Sequence, residues 1–170
     1  MRWVRWLPLG LFLVVIGLAL VALIRPADRA HRSALVGQPF PPVTLPAAAS
    51  SRPGFNAGSG PRLVNVFASW CAPCIAEAPQ LMLLQARGAK IDGIAVRDRT
   101  ADVDRFLEDN GNPFRQIGLD TESRVQVSLG SAGVPETFVV DAKGVIRHQH
   151  IGPILADDVP ELLDELKQAR

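Results

Sequence analysis

Leu63-Val64-Asn65-Val66-Phe67-Ala68-Ser69-Trp70-Cys71-Ala72-Pro73-Cys74 is the stretch that decides the fold. Six residues rich in apolar and β-branched types read as a buried strand. Both cysteines of the protein follow at once, two residues apart, and an amphipathic segment from about Ile75 to Leu84 comes next. Strand, Cys-x-x-Cys and helix in that order is the setting of a redox dithiol. Cys71 is placed at the helix N-terminus, where unpaired backbone N–H groups and the helix dipole favour a thiolate. A thiolate is the attacking species in disulfide exchange. Cys74, one turn on, is the thiol that resolves the mixed disulfide.

Two plainer readings of the pair are weaker. A structural bridge over so short a loop constrains little chain entropy, because that stabilisation grows with loop length. A tetrahedral zinc site takes four protein ligands, or three and water, and the chain has no second cysteine pair. The expectation is no metal and no cofactor beyond the Cys71–Cys74 couple.

With 170 residues the chain has room for one domain and accessories. Its 18 basic and 17 acidic side chains nearly cancel, and setting aside Arg2 and Arg5 leaves 16 against 17. No basic surface points to nucleic acid. Leu7 to Ile24 is an uncharged run of 18 residues, interrupted only by Pro8, Gly10 and Gly17. At ~1.5 Å per residue it reaches roughly 27 Å, enough for a bilayer core with little tilt. Signal-peptide apolar regions are shorter, ~7–15 residues, so residues 1–24 read as a retained anchor. A cleaved signal is the alternative, with Gly17-Leu18-Ala19 as its small-residue site. Arg2 and Arg5 before the run and Arg25, Arg29 and Arg32 after it leave orientation undecided by charge.

Residues 25–35 form a polar neck, and 36–170 the folded domain. Gly37 to Pro46 reads as extended, since each proline pushes its predecessor toward β or polyproline geometry. Ala47 to Pro61, rich in Ala, Ser, Gly and Pro, reads as a surface loop with room for a short hairpin. Further strands are expected at Ile91–Val96, Phe114–Ile117, Glu136–Val140 and Val145–His150. Helices are expected at Asp102–Asn110, Glu122–Leu129 and Asp157–Gln168. Strands alternating with helices, then a hairpin and a closing helix, predict an α/β fold with a mixed sheet covered on both faces.

Val64-Asn65-Val66-Phe67-Ala68-Ser69-Trp70-Cys71-Ala72-Pro73-Cys74 together with Gly133-Val134-Pro135-Glu136-Thr137-Phe138 resembles the thioredoxin-fold family. Within it, the likeness is to the membrane-anchored branch used in cytochrome c maturation, the CcmG/DsbE type. Gly37-Gln38-Pro39-Phe40, Gly111-Asn112-Pro113-Phe114 and the anchor support it, from about Val36 to the C-terminus. The resemblance implies a thioredoxin-like domain behind one transmembrane helix. It also implies a thiol–disulfide oxidoreductase in the inner membrane, single-pass, with its catalytic domain on the periplasmic side.

The resemblance also assigns roles. Cys71 is the nucleophile and Cys74 the more buried resolving thiol. Pro135 is the cis-proline beside the disulfide and presents the Val134 backbone to an extended substrate; the plain reading is a trans proline opening an edge strand. Glu77 and Glu136 match acids that flank the dithiol, where negative charge raises a thiol pKa. For Glu77 the plain reading is a solvated first-turn acid at a helix N-terminus. Trp70 reads as a lid beside the motif, or as a core aromatic. Asn65 stands where thioredoxins carry a buried acid; because Asn does not titrate, the proton route shifts to Glu136 or water. His148 and His150 alternate on one strand and read as solvated residues.

Ala72-Pro73 offers no charge to stabilise a thiolate, which favours an electron donor over an oxidant. The expected activity is reduction of the haem-binding cysteines of apocytochrome c, or of its maturation proteins. A membrane thiol reductant of the CcdA or DsbD type would restore the dithiol. The alternatives are a general periplasmic thiol reductase of the TlpA/ResA type, and a copper or zinc chaperone using the cysteine pair with His148 or His150.

Overall fold

The computed structural model describes residues 35–131 and 133–169, together with residues 12 and 15–17. The chain divides into residues 1–31 and 32–170. Phe12 and Val15–Gly17 are helical; the rest of the expected anchor and most of the neck lie outside the described residues. Among the described residues, no helix is long and apolar enough to cross a membrane.

Five strands and four helices are described in residues 32–170. They are β1 Arg62–Phe67, α1 Ala72–Ala86, β2 Ile91–Val96, α2 Thr100–Asn110, β3 Ile117–Asp120, α3 Arg124–Ser128, β4 Glu136–Val140, β5 Ile146–Ile151 and α4 Asp158–Gln168. The sheet order is β3-β2-β1-β4-β5. β1 pairs parallel with β2, and β2 parallel with β3. β4 runs antiparallel to β1, and β5 antiparallel to β4. All six residues of β1 and of β2 are buried, as strands covered on both faces require.

Helical spacing puts Cys74, Ala78, Leu81 and Leu84 on the buried side of α1. Val103, Phe106 and Leu107 do the same for α2, and Val159, Leu162 and Leu166 for α4. Pro79 lies inside α1, so its missing N–H leaves the Ile75 carbonyl without the usual helical bond one turn below the cysteines.

Two expectations are corrected. The strand expected at Phe114–Ile117 begins only at Ile117. Phe114 is turned inward instead, with its ring stacked on Phe67 at 4.9 Å. Arg115 uses its backbone N–H on the Ile91 carbonyl and its side chain on Asp92. Residues 47–61 are not simply a surface loop, because Ala48, Ala49 and Phe55 are buried. Backbone bonds from Leu45 to Phe55 and from Ala57 to Val43 pair this stretch with the extended segment before it rather than within itself, and Ala48 donates to Ile117. Gly118 makes this possible: a Cβ there would lie 2.5 Å from the Cβ of Phe55 and 2.7 Å from that of Leu45.

At the start of β1 and β2, Asp92 is fully buried between two arginines. Arg115 grips it with two bonds of 3.0 and 2.7 Å, and buried Arg62 stands 3.5 Å away. Burial lowers the Arg62 pKa, opposed by the attraction of Asp92.

Candidate active site

Cys71 is the N-cap of α1, with extended backbone at φ −91° and ψ 106°. Its Sγ accepts the Cys74 backbone N–H at 3.2 Å, and its carbonyl accepts Ile75 N–H at 3.2 Å. Cys74 N–H is an amide donor that a helix start leaves without its regular intrahelical partner, whereas the Ile75 bond is the first of the helix itself. Pro73 sits in the first turn, where a missing N–H costs nothing and the fixed φ suits the helix. The two cysteines form a disulfide, with Cα atoms 5.2 Å apart. Cys71 is 4% exposed and Cys74 1%, so Cys71 is the less covered of the two.

Behind Cys74 lies a buried carboxylate. Glu77 falls one turn further along α1 on the same inward face and is 0% exposed, so the solvated reading does not hold. Its Oε1 accepts from Asn65 Nδ2 at 2.9 Å, and its Oε2 from the backbone N–H of Ile154 at 2.9 Å. Burial pushes the Glu77 pKa up to about 7, against the opposing effect of those two hydrogen bonds. A carboxyl that titrates near neutrality inside a fold is suited to proton transfer. Asn65 also donates to Thr137 Oγ1 at 3.0 Å, across the β1–β4 pair. The strand position that lacks an acid therefore holds the acid supplied by the helix.

The other expected residues are distributed around this centre. The Val134–Pro135 peptide bond is cis and leads directly into β4. Glu136 is buried, and its Oε2 accepts from Gln149 Nε2 at 2.8 Å. Trp70 is 61% exposed, which excludes the core reading, and its indole N–H donates to the Arg97 carbonyl at 3.2 Å. A cleft of about 420 Å³ joins Trp70 and Arg97 to Val127 and Val134. His148 and His150 are half-buried rather than fully solvated, and His150 Nε2 lies 3.4 Å from the Pro153 carbonyl. Among the described residues, no three His, Cys, Asp or Glu side chains gather in a group suited to a metal.

Three contributors escaped the sequence reading: Asp98, the Ile154 amide and Thr137. Asp98 accepts Ser69 N–H at 2.6 Å and Ser69 Oγ–H at 2.8 Å. One signal for it existed. Parallel neighbours put the carboxyl ends of β1 and β2 side by side, and ligand-handling loops in such sheets gather there.

A disulfide at the head of a helix, on a mixed sheet with a cis-proline strand beside it, defines a thiol–disulfide oxidoreductase of thioredoxin-like fold. The model of the Redoxin family matches residues 35–166. The chain is 36% identical, over 167 residues, to the thiol:disulfide interchange protein DsbE homolog of Paracoccus denitrificans, covering 96% of this chain and 93% of that one. It is 34% identical, over 164 residues, to the thiol:disulfide interchange protein HelX of Rhodobacter capsulatus, covering 95% and 93%. The fold is similar to that of a putative thiol:disulfide interchange protein DsbE from Chlorobium tepidum. That likeness has a TM-score of 0.65 at 24% identity, over 79% of this chain and 96% of that chain. This chain belongs to the Redoxin family, as a thiol:disulfide interchange protein of the DsbE type.

Proposed function

We propose that this protein is a membrane-tethered disulfide reductant of cytochrome c maturation. In this reading residues 1–24 anchor it in the inner membrane and residues 36–170 work on the periplasmic side. Its substrate is the cysteine pair of apocytochrome c that later binds haem, or a maturation protein carrying that pair. Similarity to the DsbE and HelX proteins supports the pathway. The observation that carries the direction of electron flow is Glu77, a buried acid one turn behind Cys74. When ionised it disfavours a neighbouring thiolate, and a dithiol without thiolate stabilisation is the better electron donor.

The exchange starts from the reduced pair. The Cys71 thiolate attacks one sulfur of the substrate disulfide, that S–S bond breaks, and the other substrate sulfur leaves as a thiolate. Cys74 then gives its proton to the Glu77 carboxylate and attacks the Cys71 sulfur. The second substrate sulfur leaves, and both substrate thiolates take up protons. Two electrons have passed to the substrate, and the Cys71–Cys74 disulfide remains. A membrane thiol reductant of the CcdA or DsbD type restores the dithiol. Tethering raises the effective concentration of that partner. In this reading Glu136 and Trp70 serve beside the dithiol, as the family resemblance assigns, and Val134 offers its backbone to an extended substrate segment.

Two measurements test the reading. Equilibrium with a glutathione or dithiothreitol couple gives the reduction potential, expected well below the ~−120 mV of the oxidant DsbA; a value near that oxidant's overturns the donor assignment. Cys74→Ser in cells should trap a mixed disulfide through Cys71. Recovery of partners with no C-x-x-C-H haem-attachment segment, and of no maturation protein, refutes the cytochrome assignment.

A further inference from the structure

The geometry points to Asp98 as the residue that positions the Cys71-bearing loop for exchange. Asp98 follows β2, and one carboxylate there serves three donors. Oδ2 takes Ser69 N–H at 2.6 Å, while Oδ1 takes Ser69 Oγ–H at 2.8 Å and Arg99 N–H at 2.9 Å. The side chain is nearly buried, with the residue 8% exposed. Next door, Arg97 has φ +49°, a conformation an L side chain rarely adopts, and its carbonyl receives the Trp70 indole N–H. Two successive residues of one loop thus hold two successive residues of the other: Asp98 holds Ser69, and Arg97 holds Trp70. Cys71 is the next residue, its own N–H bound to the Ala68 carbonyl at 3.2 Å.

The chemical consequence follows from where the attacking sulfur must sit. Cys71 Sγ gains from the helix start only while it stays over the first-turn amides, and it is 4% exposed. Small rotations of the preceding loop either withdraw the sulfur from those amides or bury it from an incoming disulfide. Charge-assisted bonds from a buried carboxylate are the strong kind and leave the loop little freedom. Exchange needs the sulfur aligned with the bond it attacks, and prior alignment supplies much of the rate. Asp98 makes no contact with substrate in this role; it acts through Ser69.

This inference rests on Cys71 being the attacking thiol and is independent of the substrate and of the direction of electron flow. The test uses the full-length protein in detergent, with a peptide carrying one disulfide as the reaction partner, and folding verified by circular dichroism. Asp98→Ala should slow exchange at least tenfold, and Ser69→Ala about threefold. The double variant should be no slower than Asp98→Ala alone, because both changes break one clamp. Asp98→Asn, which keeps one acceptor oxygen, should recover part of the rate. A folded Asp98→Ala protein within twofold of the parent overturns the proposal, and so do independent, additive losses in the double variant. Should Asp98→Ala not fold, Ser69→Ala at the parent rate overturns it equally. A Cys74→Ser protein that forms no mixed disulfide with the same peptide signals failure of the nucleophile assignment instead, since that variant leaves the clamp untouched.

Discussion

Replacing Glu77 with glutamine keeps the shape of the side chain and deletes its charge, and the expected consequence depends on pH. In the unfolded chain the carboxyl titrates near 4.5; in the fold, burial raises it to about 7. At ~1.4 kcal/mol per pKa unit, ionising Glu77 inside the fold costs about 3–4 kcal/mol more than ionising it in the open chain. The sign follows from proton binding. Between these values the native state holds a proton that the unfolded state has lost, so stability from this group is complete below about pH 4.5. It declines as pH rises to about 7 and is flat beyond. The glutamine variant lacks that decline. One of its amide atoms faces a donor it cannot accept from, either Asn65 Nδ2 or Ile154 N–H, at a cost of about 1–3 kcal/mol at every pH. The variant should therefore be less stable than the parent at pH 4.5 and close the gap, or overtake it, by pH 8. Guanidinium unfolding of the oxidised proteins at pH 4.5, 6 and 8, followed by circular dichroism, reads the difference directly. A stability difference that is constant to within ~1 kcal/mol across that window would refute the assignment of a buried, neutral-range carboxyl to Glu77.

Asp92→Asn leaves Arg62 buried without its counter-ion and should destabilise the fold by about 3–5 kcal/mol, measured by guanidinium unfolding; Arg115→Ala, at a half-exposed partner, should cost much less. Gly118→Ala forces a methyl group against Phe55 and Leu45, and overpacking of this kind should cost at least 1–3 kcal/mol, visible as a lowered Tm. In single-turnover exchange, Glu77→Gln should slow resolution by Cys74 while leaving the first attack by Cys71 nearly unchanged; equal slowing of both steps would remove Glu77 from the proton route.

Local pattern made much of this protein legible. The strand before the dithiol, Ile91–Val96 and Glu136–Val140 could be placed because each is a short apolar run bounded by turn residues, and strands buried on both faces look like that. Cys71 at a helix start was equally local, since strand, motif and helix are contiguous. Other features failed for physical reasons. Phe114 has the composition of a strand residue, yet its ring is drawn into the stack on Phe67 and the regular strand begins only at Ile117. The Ala- and Ser-rich stretch from Ala47 looks like surface, yet alanines are small enough to pack where Gly118 leaves room.

The sequence by itself determined the dithiol, its place at the head of a helix and the alternation of strands and helices along the chain, because each depends on residues adjacent in the chain. Only the tertiary structure decided the electrical character of the site. Whether Glu77 is solvated or buried turns on Asn65, 12 residues away, and on Ile154, 77 residues away. The clamp on the cysteine loop joins Ser69 to Asp98 across 29 residues. A carboxyl group takes its pKa from the water it has lost and the donors it has met, and both are supplied by distant segments that folding brings to the same end of the sheet.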